Sequence, residues 1–373
     1  MEEYHESMGL TRQFTFCPNA FRIDLYRNCT FGCKYCFANM EVFNEQEITK
    51  WRDANIDKIK NKFKLALETD VESKDIIVEL LRHRVPLHCG GMSDPFQPRE
   101  WQMRLTYELI KLSNQYQYPI QFSTKTSHLP DMYYEILDPK LHMFQVSIMG
   151  LHNEFIRKWE TNTPTAYERL EFVKKLRDKG FWVGIRIQPI IDIQEVLELI
   201  HYIKGVPNYY TVEHFKLIYD TDSAKEAFIQ LMPHKQDFAV INHKIQVKRD
   251  IKIKNIQQII NTANLYGVKV GVGDNDLHYM SQSRCCCGID LGPDTFKNYL
   301  KYNVTYMSTG DIENDVFIPK MNPRKNINDQ KYGLVIDCKQ YVDDYIKRHL
   351  DYMGEKKKYY EKLLTGRVTT KLF

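Results

Sequence analysis

The sequence predicts an α/β protein built on a parallel sheet, a full or partial TIM-like barrel. Two observations carry this. Short runs with period-2 alternation, the mark of a strand, recur along the first 275 residues. Between them lie stretches with apolar residues at helical spacing. Strands that alternate with helices read as βα units around a parallel sheet, and at least six such units follow one another.

The elements follow in order. Residues 1–20 read as an irregular arm, and Phe21-Arg22-Ile23-Asp24-Leu25-Tyr26 as the first strand. Trp51, Ile56, Ile59, Phe63 and Leu67 predict a helix over 48–67 with a charged outer face. Val85 to Cys89 is a short strand, and Pro98 near its start marks a helix reaching Gln115. Strands over 120–125 and 143–148 flank a short helix over 131–137. Thr163-Pro164 caps a helix that stops at Lys179-Gly180. A strand over 181–190, a helix over 192–203, a strand over 211–217, a helix over 256–266 and a strand over 268–272 complete the rhythm. Residues 223–250 read as an insertion. Beyond 276 lies an extension expected to be mostly helical, with a helix from Asp337 to Tyr352 and the run Lys356-Lys357-Lys358 as a solvated face. The expected division is therefore an arm (1–20), a barrel (21–275) and an extension (276–373).

At 373 residues, 43% hydrophobic and 27% charged, the chain suffices for one large domain with an appendage or for two domains. No apolar run approaches the roughly 18 residues that span a bilayer, so no membrane partner is expected. The start, Met-Glu-Glu-Tyr-His-Glu-Ser, is too acidic for a secretory signal. Nine cysteines without such a signal point to a reducing, cytoplasmic setting in which thiols serve metal or redox chemistry. The net charge of +4 neither requires nor excludes a nucleic-acid partner.

Alternation assigns faces. Phe21, Ile23 and Leu25, then Ile120 and Phe122, then Phe144, Val146 and Ile148, then Val183, Ile185 and Ile187 face helices. The lumen then receives Arg22, Asp24, Gln121, Ser123, Lys125, Gln145, Ser147, Gly184, Arg186 and Gln188, with Glu213 as a further candidate. A purely structural barrel fills its lumen with branched apolar side chains. This polar set needs partners, and a zwitterionic, sugar-bearing ligand would supply them; the other reading is that these side chains pair with one another.

After the first strand comes Cys29-Thr30-Phe31-Gly32-Cys33-Lys34-Tyr35-Cys36-Phe37, a C-x3-C-x2-C spacing. Short cysteine spacings of this kind read as a metal site. Four thiolates ordinarily hold a [4Fe–4S] cube, so Cys29, Cys33 and Cys36 would leave one iron without a protein ligand. The rival is a structural zinc knuckle with a distant fourth ligand, a non-enzymatic module, although no compact second Cys/His pair follows.

This stretch resembles the cluster loop of the radical S-adenosylmethionine (radical SAM) superfamily. The resemblance implies a partial (β/α)6 barrel with the loop after its first strand. It implies an open iron that chelates SAM, and reductive cleavage of SAM to a 5′-deoxyadenosyl radical that abstracts hydrogen from a substrate. A low-potential donor, ferredoxin or flavodoxin, is implied as partner. Phe37 would pack beside the adenine. Gly90-Gly91-Met92-Ser93-Asp94 stands where the family's Gly-Gly-Glu motif holds the SAM amino group, with Ser93 or Asp94 in the acidic role. Ser147, Arg186 and Ser123 would meet the ribose and carboxylate, and Lys125 and Glu213 join them as lumen candidates for cofactor binding. Ser93-Asp94-Pro95-Phe96-Gln97-Pro98-Arg99-Glu100 and Ser123-Thr124-Lys125-Thr126 resemble the spore photoproduct lyase-like branch. That implies nucleic-acid repair or modification as one activity, with a peptide or small metabolite as the other substrate class. In that lyase a cysteine near this strand end donates hydrogen; Cys89 lies nearby in a different register and also reads as a core thiol.

Cys285-Cys286-Cys287-Gly288 forms a second cysteine group. Successive side chains of an extended segment point opposite ways, so all three do not reach one metal. One or two of them, with Cys17 and Cys338, would make an auxiliary Fe–S cluster. Alternatively Cys286 or Cys287 is a hydrogen-donating thiol, or the group is a redox-active vicinal pair or inert.

Overall fold

The computed structural model describes residues 2–5, 7–10, 21–36, 38, 51–71, 73, 75–218, 230–241, 244–274, 277, 280–283 and 285–301, with four short strands beyond them. Its strands are β1 (Met8–Leu10), β2 (Phe21–Ile23), β3 (Leu87–Cys89), β4 (Ile120–Thr124), β5 (His142–Ser147), β6 (Trp182–Ile190) and β7 (Tyr209–His214), then β8 (Lys216–Ile218), β9 (Phe238–Ile241), β10 (Lys244–Val247) and β11 (Lys269–Val272). The main sheet has eight strands in the order β11-β7-β6-β5-β4-β3-β2-β1. Every neighbouring pair is parallel except β1 with β2. β11 and β1 are its two edges, so the barrel is partial.

The helices between these strands are α1 (Ile56–Leu67), α2 (Ile76–Arg82), α3 (Glu100–Met103), α4 (Leu105–Tyr116), α5 (Asp131–Tyr134), α6 (Asn153–Trp159), α7 (Ala166–Asp178), α8 (Ile193–Ile203) and α9 (Arg249–Asn264). Local chemistry sets their starts. Asn55 caps α1 by accepting from the Asp57 and Lys58 amides, Thr165 and Glu168 form a capping box on α7, and Asp192 caps α8. Ile23, Ile120, Phe122, Phe144, Val146, Ile148, Val183, Ile185 and Ile187 lie buried between sheet and helices in one core. The polar alternates Asp24, Gln121, Ser123, Gln145 and Ser147 are buried as well.

Several elements differ from their predicted bounds. The helix expected from 48 begins at Ile56, because Arg52–Asp53 pairs as a strand with Glu2–Glu3. The helix expected over 98–115 breaks at Arg104, whose φ of 55° is left-handed. The break lets the buried Glu100 carboxylate turn back and accept the Thr106 and Tyr107 amides, capping α4. α2 and α6 were not expected. The presumed insertion carries β9 and β10, which pair with β8 in a separate antiparallel sheet ordered β8-β10-β9. The helix expected from 256 starts at Arg249.

Among the described residues beyond 276, the regular elements are 3-10 turns at Ile289–Leu291 and Asp294–Lys301 and two antiparallel strand pairs, Thr305–Met307 with Val316–Ile318 and Ile327–Asp329 with Leu334–Ile336. The helix expected over 337–352 and the lysine run lie outside the described residues. No described helix is long and apolar enough to cross a membrane.

Glu100 also accepts from the hydroxyls of Tyr26 and Tyr133. Removing it orphans two phenols and two amides, each worth about 1–3 kcal/mol when buried and unpaired. Glu100→Ala is expected to lose more than about 3 kcal/mol in urea unfolding, and Glu100→Gln about half of that.

Candidate active site

The loop after β2 carries Cys29, Cys33 and Cys36, and all three line one cavity of about 330 Å³ at the carboxyl ends of the parallel strands. Two segments hold the loop. Gln97 Oε1 accepts the Thr30 amide (3.0 Å) while its Nε2 donates to the Asn28 carbonyl (2.9 Å). Residues after α6 form the second clamp: Cys33 pairs with Glu160 in an antiparallel bridge, and the Lys34 amide donates to the Trp159 carbonyl (2.8 Å). Asn162 adds its amide to the Phe31 carbonyl (3.2 Å) and its Nδ2 to the Thr30 carbonyl (3.1 Å). The Tyr35 hydroxyl also donates to Glu160.

The turn after β3 forms the neighbouring wall. Gly90 has φ of 104°, and a Cβ there would run into the Ser123 carbonyl, so no other residue lets the turn lie so close to β4. Asp24 Oδ1 accepts the Met92 (2.6 Å) and Ser93 (3.2 Å) amides, and its other oxygen takes Arg22. Asp94 accepts the Phe96 amide (2.9 Å), the Thr124 hydroxyl (2.8 Å) and the Lys125 amide (2.6 Å), fastening the turn to the end of β4. Ser93, on the same wall, has a buried Oγ without a hydrogen-bond partner among the described residues.

A chain of polar side chains crosses the cavity floor. His88 Nε2 and Ser123 Oγ are 2.8 Å apart. Arg186 Nη1 donates to Gln145 Oε1 (3.3 Å), Arg186 also bonds Gln188, and Gln188 Nε2 donates to Glu213 Oε2 (2.6 Å). Lys216 Nζ closes the row on Glu213 Oε1 (2.8 Å). Behind it, Asp274 is bonded by His214 Nδ1 (2.7 Å), which stiffens the end of β7.

The electrostatics follow from burial. Burial pushes the Cys29 and Cys33 thiols up to about 12, so in the metal-free chain both stay protonated at neutral pH. A coordinating metal deprotonates such thiols outright. Burial, with Arg186 and Arg22 nearby, pushes His88 down to about 3 and keeps it neutral. Burial works against the charge of Lys125, but Cys33 and Glu160 around it hold it above the ordinary lysine value. Burial works against Glu160 too; Arg169 and Lys125 more than offset it and keep the carboxyl below its usual range.

The candidates read from the sequence thus divide. Cys29, Cys33, Cys36, Gly90, Gly91, Ser93, Asp94, Ser123, Lys125, Ser147, Arg186 and Glu213 all line the cavity. Asp94, however, directs its oxygens to protein donors. Cys89 does not line it: His88 faces the lumen, so its neighbour points into the helix-side core, where burial pushes the thiol far up. Nor do Cys286 and Cys287. Cys285 and Cys287 pack with Met143, Trp182, Tyr209, Ile289 and Phe296 around the amino-terminal ends of β5, β6 and β7, the end of the barrel opposite the three-cysteine loop. Their sulfurs are 3.7 Å apart, Cys285 Sγ donates to Asp290 (3.0 Å), and the Cys287 carbonyl accepts from Gln145 (3.3 Å) beneath the cavity floor. The reading of Cys286 or Cys287 as a hydrogen-donating thiol therefore gives way to a plug at the closed end. Phe37, Cys17 and Cys338 lie outside the described residues. The sequence reading missed His88 on the cavity wall and the Glu160–Arg169 pair behind it. Arg169 alone left a signal, standing on the apolar stripe Ala166, Leu170, Val173 of α7.

The residues fit an iron–sulfur cube and a zwitterionic ligand: three thiols, the unpartnered Ser93 hydroxyl, the Lys125 ammonium near Cys33 and the Arg186 guanidinium on the floor row all border one cavity. Among the described residues no group of three His, Cys, Asp or Glu side chains is placed to hold a single metal ion. A cube takes each thiolate on a different iron.

The pattern of the Radical SAM superfamily matches residues 23–203. Residues 23–203 therefore form a radical SAM domain, which supports an enzyme and implies a [4Fe–4S] cluster and SAM. Among solved structures it is similar to a single-site mutant of spore photoproduct lyase, at 16% identity and TM-score 0.54, covering 71% of this chain and 78% of that one. A second mutant of the lyase, with bound AdoMet and dinucleoside spore photoproduct, aligns at 17% identity and TM-score 0.50, covering 69% and 78%. These likenesses establish the fold. No curated protein matches in sequence.

The depressed pKa of His88 has a consequence for stability. Below about pH 6.5 an unfolded histidine binds a proton that native His88 refuses until about 3. Stability therefore falls with pH across that window, by at most about 1.4 kcal/mol per pH unit from this residue. His88→Gln is expected to flatten the urea-unfolding free energy between pH 6.5 and 4.

Proposed function

We propose that Cys29, Cys33 and Cys36 hold a [4Fe–4S] cluster with one open iron, and that SAM binds beside it across the turn 90–94 and the floor row. The observation that carries this is the convergence of the three cysteines and the polar strand ends on one cavity. When bound, cluster and SAM would supply a 5′-deoxyadenosyl radical for hydrogen abstraction. The chain's own groups orient and enclose. The open backbone at Gly90-Gly91 and the Ser93 hydroxyl receive the amino end of SAM, and Lys125, Arg186 and Ser147 take the carboxylate and ribose. Neutral His88 adds a hydrogen-bonding group to the floor without adding charge. An electron donor of low potential, ferredoxin or flavodoxin, would serve the cluster.

The substrate we test first is a nucleic acid, because one solved structure of similar fold holds a dinucleoside spore photoproduct. Binding of DNA or RNA oligonucleotides that weakens linearly with log salt supports it. Salt-insensitive or absent binding turns the search to peptides and metabolites.

Anaerobic reconstitution with iron and sulfide should load about four irons per chain and yield 5′-deoxyadenosine from SAM under dithionite. A chain that takes up no cluster, or never cleaves SAM, ends this reading. The Cys29/Cys33/Cys36→Ala variant should fall to background iron, since Cys285 Sγ donates to Asp290 and both Cys285 and Cys287 pack among apolar neighbours. Iron persisting in that variant would assign a second cluster to the closed end. Ser93→Ala removes an unsatisfied buried hydroxyl, so stability should change by less than about 0.5 kcal/mol while the SAM dissociation constant rises on the order of tenfold.

A further inference from the structure

We propose that Glu160 and Arg169 are positioning residues for the three-cysteine loop, and that their charges bias in opposite directions how readily a cluster held by Cys33 accepts an electron. The inference rests on the reading of Cys29, Cys33 and Cys36 as cluster ligands.

Both side chains are almost wholly excluded from solvent, 1% exposed for Glu160 and 0% for Arg169, with Arg169 Nη2 2.8 Å from Glu160 Oε2. Burying such a pair costs desolvation that its attraction often fails to offset, and apolar residues would join α7 to the sheet as well. What apolar residues would not supply is direction, and both partners spend theirs on the site. The Glu160 backbone pairs with Cys33, and its carboxylate takes the Tyr35 hydroxyl between the second and third cysteines. Thr163 Oγ1 donates to its other oxygen (3.1 Å). Arg169 Nη1 donates to the Ser147 carbonyl (2.7 Å), and Ser147 lines the cavity. The pair therefore ties the loop to the end of β5 across the mouth. Reduction adds one negative charge to a cluster. A carboxylate fixed behind Cys33 opposes that addition and a guanidinium favours it; partners of this kind tune a metal through its ligands.

The test uses full-length protein, reconstituted anaerobically and titrated without SAM, the reduced cluster being read by electron paramagnetic resonance. Glu160→Gln should move the midpoint in the positive direction and Arg169→Met in the negative direction. Each shift is on the order of tenfold in the reduced-to-oxidised ratio at a fixed potential, ~59 mV for one electron. The double variant should return toward the wild type. Arg169→Lys keeps the charge and should leave the midpoint near that of the wild type, even if Arg169→Met loads poorly. Shifts of the same sign, or none in Glu160→Gln, overturn the proposal while a wild-type signal keeps the cluster reading. A wild-type chain without any cluster signal overturns both.

Discussion

Asp94, Gln97 and Glu100 carry polar atoms that water does not reach, and each is satisfied by a different part of the chain. Asp94 takes donors from β4, Gln97 from the loop of the first cysteine, and Glu100 from Tyr26, Tyr133 and the start of α4. Leaving such groups unpaired costs about 1–3 kcal/mol apiece. The turn is therefore stable only when β2, the cysteine loop, β4 and α5 are all in place. One seven-residue stretch makes the folding of the sheet and the placement of the site a single event.

The lumen is layered along the strands. At the closed end Met143, Trp182 and Tyr209 pack against Cys285, Cys287, Ile289 and Phe296. Above them Gln121 and Gln145 point amides at the Cys287 carbonyl. Ser123, His88, Arg186, Gln188 and Glu213 follow, and the cysteine loop lies at the mouth. Polarity thus rises from the plug to the opening. An apolar base excludes water from below, and a bonded amide layer holds the charged row rigid. A ligand entering from the mouth meets groups already oriented, which lowers the ordering cost of binding.

Much of this was legible in the residue pattern. Period-2 alternation named the helix-facing set, and it is the core; its polar alternates are the lumen. Cys29-x3-Cys33-x2-Cys36 marked the loop because three thiols in eight residues have few purposes apart from metal. Other features were not legible. Glu160 lies far along the chain from Cys33, and nothing in the local pattern of either announces that they pair. Arg104 looks like an ordinary helical residue until the buried Glu100 draws the next turn back upon itself. Cys89 was open to two readings, a hydrogen donor or a core thiol, and its alternation with His88 turns it to the core. The thiols at 285–287 carried no signal of which end of the barrel they would reach.

The sequence by itself determined the local terms: which residues alternate, where helices are capped by Asn55, Thr165 and Asp192, and that three thiols stand on one short loop. These depend on neighbours within a few residues, so they survive in the chain order. Only the tertiary structure decided which buried charges meet, that Glu160 and Arg169 stand behind Cys33, and that the second cysteine group closes the far end. Those outcomes depend on satisfying polar atoms brought together from distant segments, and a linear pattern does not record them. For the loop of Cys29 to Cys36, the sequence marked a place for metal; the fold set that place at the open end of a polar lumen.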